Sequence, residues 1–208
     1  MTTLLIEGIH KGTKLIKDGN KAPFTWTTQV NAPEDAPCRG GAVVIPNAHA
    51  SLPSWDNWDA WVKREGGAHA DRVVIRVTLQ GKSTNSVVVH ALRVGVDSRS
   101  APRGAAYVPG GGCGGLTPRL FEVDLDDPKL TVVTKAGEDG TPAVKFPYVI
   151  SSTEPEVLLV SAETDTCDCT FHLDLDWTSG DRGGTVRINE GKNPFRVVGT
   201  EKLPTHVL

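Results

Sequence analysis

From Cys167 to Trp177 every second residue is apolar or sulfur, and this alternation constrains the fold more than any other feature of the chain. A period of two specifies a half-buried β-strand, because successive side chains leave a strand on opposite faces. The inward set is Cys167, Cys169, Phe171, Leu173, Leu175 and Trp177. The outward set is Asp168, Thr170, His172, Asp174 and Asp176. One face belongs to a core and the other is acidic, so the segment reads as the central strand of a sheet.

The same period recurs along the chain. Phe24, Trp26, Thr28 and Val30 alternate, as do Val73, Ile75, Val77 and Leu79, and after Gly81 to Asn85 a further run covers Val87 to Val96. The last two runs read as a hairpin. Further strands are expected at 120–125, 130–134, 144–150, 157–161, 184–188 and 195–198, separated by turn signals such as Asp126-Asp127-Pro128 and 179–183. Phe121 to Asp127 echoes Phe171 to Trp177, a likeness that two strands facing one core produce without any duplication. A single helix is expected from Ser54 to about Glu65, with Ser54 as cap, acidic residues early, Lys63 and Arg64 late, and Gly66-Gly67 beyond the end. About ten short strands and one helix predict an all-β chain, an antiparallel sandwich of the immunoglobulin-like or jelly-roll-like kind, or a partly closed barrel.

A chain of 208 residues fits one all-β domain with additions. Residues 1–20 read as an N-terminal arm or hairpin and 21–208 as a single sandwich domain. A net charge of -3 without basic runs argues against nucleic acid as a partner. Near the amino terminus Glu7, Gly8 and His10 interrupt the apolar residues, so neither a signal peptide nor a membrane span is expected.

Four cysteines carry the strongest signal of chemistry beyond packing: Cys38, Cys113, Cys167 and Cys169. Cys167 and Cys169 share one side of one strand, which disfavours a bond between them. Two long-range disulfides are the economical arrangement, with Cys38 and Cys113 each tied to one of the pair, and these would imply an extracytoplasmic location. Free thiols, a zinc site drawing on His172, and a nucleophilic Cys113 within its glycine run are the alternatives. The Cys-x-Cys spacing is a weak metal signature, and no base is apparent for Cys113.

His172, Asp174 and Asp176 form a second candidate on the outward face, opposite Arg187 on the expected partner strand. Two carboxylates at i and i+2 lie about 6.5 to 7 Å apart along a strand, so a cation would need loop ligands such as Asp181. A cross-strand ion pair on a solvated face is the simpler reading. Trp55 and Trp58 form a candidate aromatic surface for a sugar or peptide, against the simpler reading of a helix packed over a sheet end. His49, His69, His90 and His206 are scattered, and no nucleophile elbow, zinc-protease helix, EF-hand or phosphate loop is present.

Trp55 to Trp58, Gly66 to Ala68, Val73 to Gly81, Phe121 to Asp126, Cys169 to Phe171 and Gly191 to Arg196 together resemble an uncharacterised actinobacterial β-rich domain that often follows a membrane anchor. The likeness spans about residues 24 to 200. It implies a β-rich extracytoplasmic or regulatory module, and it carries over neither an activity nor site residues. The residues favour a non-catalytic binding or protein-interaction module, taking a protein or a small ligand and no cofactor. A hydrolase or redox protein using Cys113 or the His172 face, and an assembly subunit using the 2–19 arm, are the rival readings.

Overall fold

The computed structural model of the protein describes residues 22–31, 41–47, 52, 57–108, 120–136, 142–143 and 145–208. The expected arm at 1–20, Cys38, Cys113 and Trp55 lie outside the described residues.

Fourteen strands and one short helix are described. They are β1 (Phe24–Val30), β2 (Val43–Ile45), α1 (Trp58–Arg64), β3 (Ala68–Ala70), β4 (Arg72–Gly81), β5 (Val87–Ser100), β6 (Ala105–Val108) and β7 (Leu120–Asp124). There follow β8 (Val133–Lys135), β9 (Tyr148–Ile150), β10 (Glu156–Glu163), β11 (Asp168–Ser179), β12 (Arg182–Ile188), β13 (Phe195–Val198) and β14 (Thr205–Val207). One sheet runs β1-β4-β10-β7-β8. The other runs β14-β6-β2-β3-β13-β11-β5-β9, with β12 also paired to β11. The fold is an all-β sandwich. Its pairing is antiparallel except at β10/β7, β13/β3 and β14/β6, so both sheets are mixed.

β11 is central, as its alternation requires. β5 flanks it from Asp168 to Thr178, while β13 and β12 share its other side in succession. Cys169, Phe171, Leu173, Leu175 and Trp177 enter the core, where they meet Phe24, Ile75, Val77, Phe121, Leu158 and Val160 of the opposite sheet. Phe171 packs on Phe195 at 5.6 Å and Trp177 edge-on to Phe24 at 6.1 Å. Phe121 and Phe171 share this core from opposite sheets, which accounts for their similar sequences.

The expected hairpin between β4 and β5 is corrected by the structure. The two strands lie in different sheets, so Lys82 to Ser86 carry the chain across the core instead of reversing it within a sheet. Both strands still turn alternate residues inward, which is why the pattern could not separate the two connections. Ser152 N–H and Gly81 N–H tie this crossing down by donating to Ser83 O at 2.8 Å and Ser151 O at 3.2 Å. At the other junction, Asp71 has a left-handed φ of 61° between β3 and β4, and its carboxylate accepts from Thr200 N at 2.7 Å and Thr200 Oγ1 at 2.9 Å.

α1 covers the wing of the second sheet built by β2 and β6. Trp58, Trp61 and Val62 pack there against Val43, Ile45, Ala105 and Tyr107. Trp61 is fully buried, edge-on to Tyr107 at 5.6 Å. Trp58 is buried too, at 5% exposure, which removes it from the proposed aromatic surface. The described helix runs from Trp58 to Arg64, and Ser54, the expected cap, lies outside the described residues.

Candidate functional site

The outward face of β11 holds its acidic residues in separate pairs. Asp174 stands opposite Arg187 in the β11/β12 register, with Arg187 Nε 3.6 Å from Asp174 Oδ1. Asp176 belongs to Arg93 of β5, whose Nη2 and Nε donate at 2.5 and 3.1 Å, and it also accepts from Thr185 Oγ1 at 2.6 Å. Asp174 and Asp176 therefore answer to different cations. Asp181 sits in the β11/β12 turn and lines the cleft described below.

His172 departs from its expected solvated position: its side chain is 8% exposed. Its Nδ1 lies 2.9 Å from Asp97 Oδ1 and its Nε2 3.7 Å from Asp174 Oδ2, while Arg187 reaches both carboxylates. Asp97 arrives there through a β-bulge. Where Thr170 faces Ser98 and Phe171 faces Val96, Asp97 is passed over, and His90 is passed over in the same way where Asp176 faces Ala91 and Trp177 faces Val89. Bulges re-aim side chains. Both of these residues engage β11, His90 through Thr178 Oγ1 at 2.7 Å and Asp97 through His172. Asp97 was not a sequence candidate, and its one available signal was Gly95, since a glycine inside a strand marks close approach or a bulge. The His172 ring occupies the space where a Gly95 Cβ would stand.

The cysteines are arranged differently from expectation. The sulfurs of Cys167 and Cys169 lie at disulfide distance from each other, with Cα atoms 5.4 Å apart. Cys167 stands just before β11, after the bend at 165–166, so the two cysteines do not share the face of one regular strand and their sulfurs can meet. Asp126 shapes that entrance by accepting from Thr164 Oγ1, Asp165 N, Thr166 N and Thr166 Oγ1 at 2.7 to 3.3 Å. Burial pushes the Asp126 carboxyl up, but these hydrogen bonds together outweigh it and hold the group below its ordinary range. Arg196 grips Asp168, and this hydrogen-bonded pairing raises the guanidinium above its ordinary range against the opposing effect of burial. Among the described residues no cluster of histidine, cysteine and carboxylate is placed to hold a metal ion.

A concave surface lies at one end of the sandwich, where the β4-to-β5 crossing meets the β11/β12 turn. Ser179 pairs with Arg182 across that turn, leaving Gly180 and Asp181 as a two-residue loop. Gly180 has a φ of 60°, the left-handed conformation that a type II′ turn requires at its first central position. Ser179 Oγ donates to Ser86 O at 3.0 Å and so clasps the two tips together. Between them opens a cleft of about 510 Å³ lined by Pro23, Ser83, Asn85, Ser86, Ser179, Gly180, Asp181 and Arg182. Lys82 steadies the Pro23 wall by donating from N to Pro23 O at 2.9 Å and from Nζ to Ala22 O at 2.8 Å. The Arg182 guanidinium lies 5.9 Å from the Trp177 ring centre. The wall offers hydroxyls, an amide, one carboxylate and one guanidinium: donors and acceptors with no excess charge.

No helix among the described residues is long and apolar enough to cross a membrane. No protein-family model matches the sequence, and no curated protein matches it.

Proposed function

We propose that the protein is a non-catalytic interaction module that holds a polar peptide segment of a partner protein in the cleft between the 82–86 and 179–182 tips. The observation that carries this reading is the cleft itself, an open concavity between the segment that joins the two sheets and the β11/β12 turn, clasped by Ser179 and Ser86. Rigid strands that present loops at one end provide a preformed site, and a volume of this size suits a short segment. Serine hydroxyls and the Asn85 amide complement the N–H and C=O groups of an extended chain, and Asp181 and Arg182 leave the wall electrically balanced.

The same proposal includes kinship with the actinobacterial domain that follows a membrane anchor, and an extracytoplasmic position. What supports the kinship is the sequence likeness itself, carried by Trp55 to Trp58, Gly66 to Ala68, Val73 to Gly81, Phe121 to Asp126, Cys169 to Phe171 and Gly191 to Arg196.

Calorimetric titration of the full chain with a panel of polar peptides and neutral oligosaccharides tests the reading. Peptide binding that is lost in Asn85→Ala and Arg182→Ala, with folding unchanged, is the expected result. Binding of saccharides alone, or peptide binding indifferent to both substitutions, overturns it.

A further inference from the structure

A bond between residues two apart joins no separate segments. It closes a ring around Asp168 alone, and so short a loop restrains the unfolded chain less than any long-range staple. Its consequence is local. Across the bridge the Cα atoms of Cys167 and Cys169 are 5.4 Å apart, with Cys167 immediately before β11 and Asp168 its first residue. The ring holds Asp168 between the two sulfurs, and opening it frees the two Cα atoms to move apart.

Asp168 is the first link in a series of contacts. Its carboxylate accepts from Arg196 Nε and Nη2 at 2.8 Å each, and Arg196 Nη1 reaches Gly66 O just past the end of α1. On the other side, Cys167 O accepts from Gly199 N at 2.8 Å, and Thr164 Oγ1 lies 3.1 Å from Cys167 Sγ. The ring is fixed on both flanks, so a change in its size is passed on through Asp168.

We propose that Cys167-Asp168-Cys169 is a redox modification site, a reversible dithiol/disulfide pair whose state sets Asp168 against Arg196 and thereby the seating of the α1 end. The reductant is a dithiol. Both residues are buried, Cys167 at 7% exposure and Cys169 at 0%, so exchange follows local opening of the chain: one thiolate of the dithiol attacks Cys167 Sγ, and Cys169 leaves as thiolate. The second thiol of the reductant then displaces Cys167 from the mixed disulfide. The dithiol ends as a disulfide, and its two protons end on Cys167 and Cys169.

The test uses the full chain, alkylated with N-ethylmaleimide without reductant and mapped by peptide mass. The peptide carrying Cys167 and Cys169 should be unalkylated and about two mass units lighter than its dithiol form. Native treatment with dithiothreitol should add two alkylations there, raise amide exchange at 65–67 about threefold or more, and reverse on reoxidation. Cys167→Ser with Cys169→Ser should show the faster exchange with or without dithiothreitol, and the wild-type measurement decides the matter if that variant fails to fold. Free thiols in the untreated protein, bonds from this pair to Cys38 or Cys113, or opening that leaves exchange at 65–67 unchanged would each overturn the proposal.

Discussion

Arg196 holds Asp168 through two parallel hydrogen bonds of 2.8 Å, Nε to Oδ1 and Nη2 to Oδ2, and so fastens β13 to the residue between the two cysteines. Such a fork is worth more than a single contact because both partners are charged and aligned. Arg196 is 36% exposed, which moderates its value. Arg196→Ala should lower unfolding stability by about 1 to 2 kcal/mol and Arg196→Lys by less. Urea unfolding with an unchanged slope measures this, and equal losses for both substitutions would mean that the fork geometry contributes nothing.

Asp126 predicts a particular acid sensitivity. Its folded-state group sits below the ordinary value of 3.8, so its contribution is complete above that value. The contribution disappears as pH falls through the lower, folded value. Between neutral pH and acid, the stability of Asp126→Asn should decline less steeply than that of the wild type below about pH 4. Parallel curves from chemical unfolding across pH would contradict the assignment.

Gly95→Ala places a methyl group against the His172 ring. The ring is confined by Asp97 and Asp174, so the substitution should cost about 1 to 3 kcal/mol. A double-mutant cycle with His172→Ala should recover part of that loss, because the smaller side chain vacates the space. Strict additivity of the two changes would show that the glycine is needed for some other reason.

Trp61 is the helix's main anchor in the wing of the second sheet. Trp61→Ala should destabilise by about 3 to 5 kcal/mol through the cavity it leaves. Trp61→Phe should cost clearly less, since Trp61 Nε1 has no hydrogen-bond partner among the described residues. Equal losses in thermal unfolding would point to a role for the indole N–H.

The central strand was legible because alternation of apolar and polar residues reports sidedness directly. Phe171 and Leu173 face the core as read, and Arg187 stands opposite Asp174. Where the chain crosses from one sheet to the other was not legible. Lys82 to Ser86 have the chemistry of any reversal, and local residues do not specify whether the next strand pairs with the last or faces it. β3, β6 and β14 span only three or four residues, too few to show a period. The side of His172 was readable but its burial was not, since that depends on a bulge that brings Asp97 from 75 positions away. The Cys167–Cys169 contact is hidden for a related reason: the alternation runs on through Cys167, although the strand itself begins only at Asp168.

The central claim is that the cleft between the two tips binds a partner's polar peptide segment, and residue-resolved amide shifts test it most directly. When a binding peptide is added to the labelled full chain, the largest shifts should fall on 83–86 and 179–182, while amides around His172 stay still. Shifts centred on the His172 and Asp97 pair, or spread without focus over the sandwich, would contradict it.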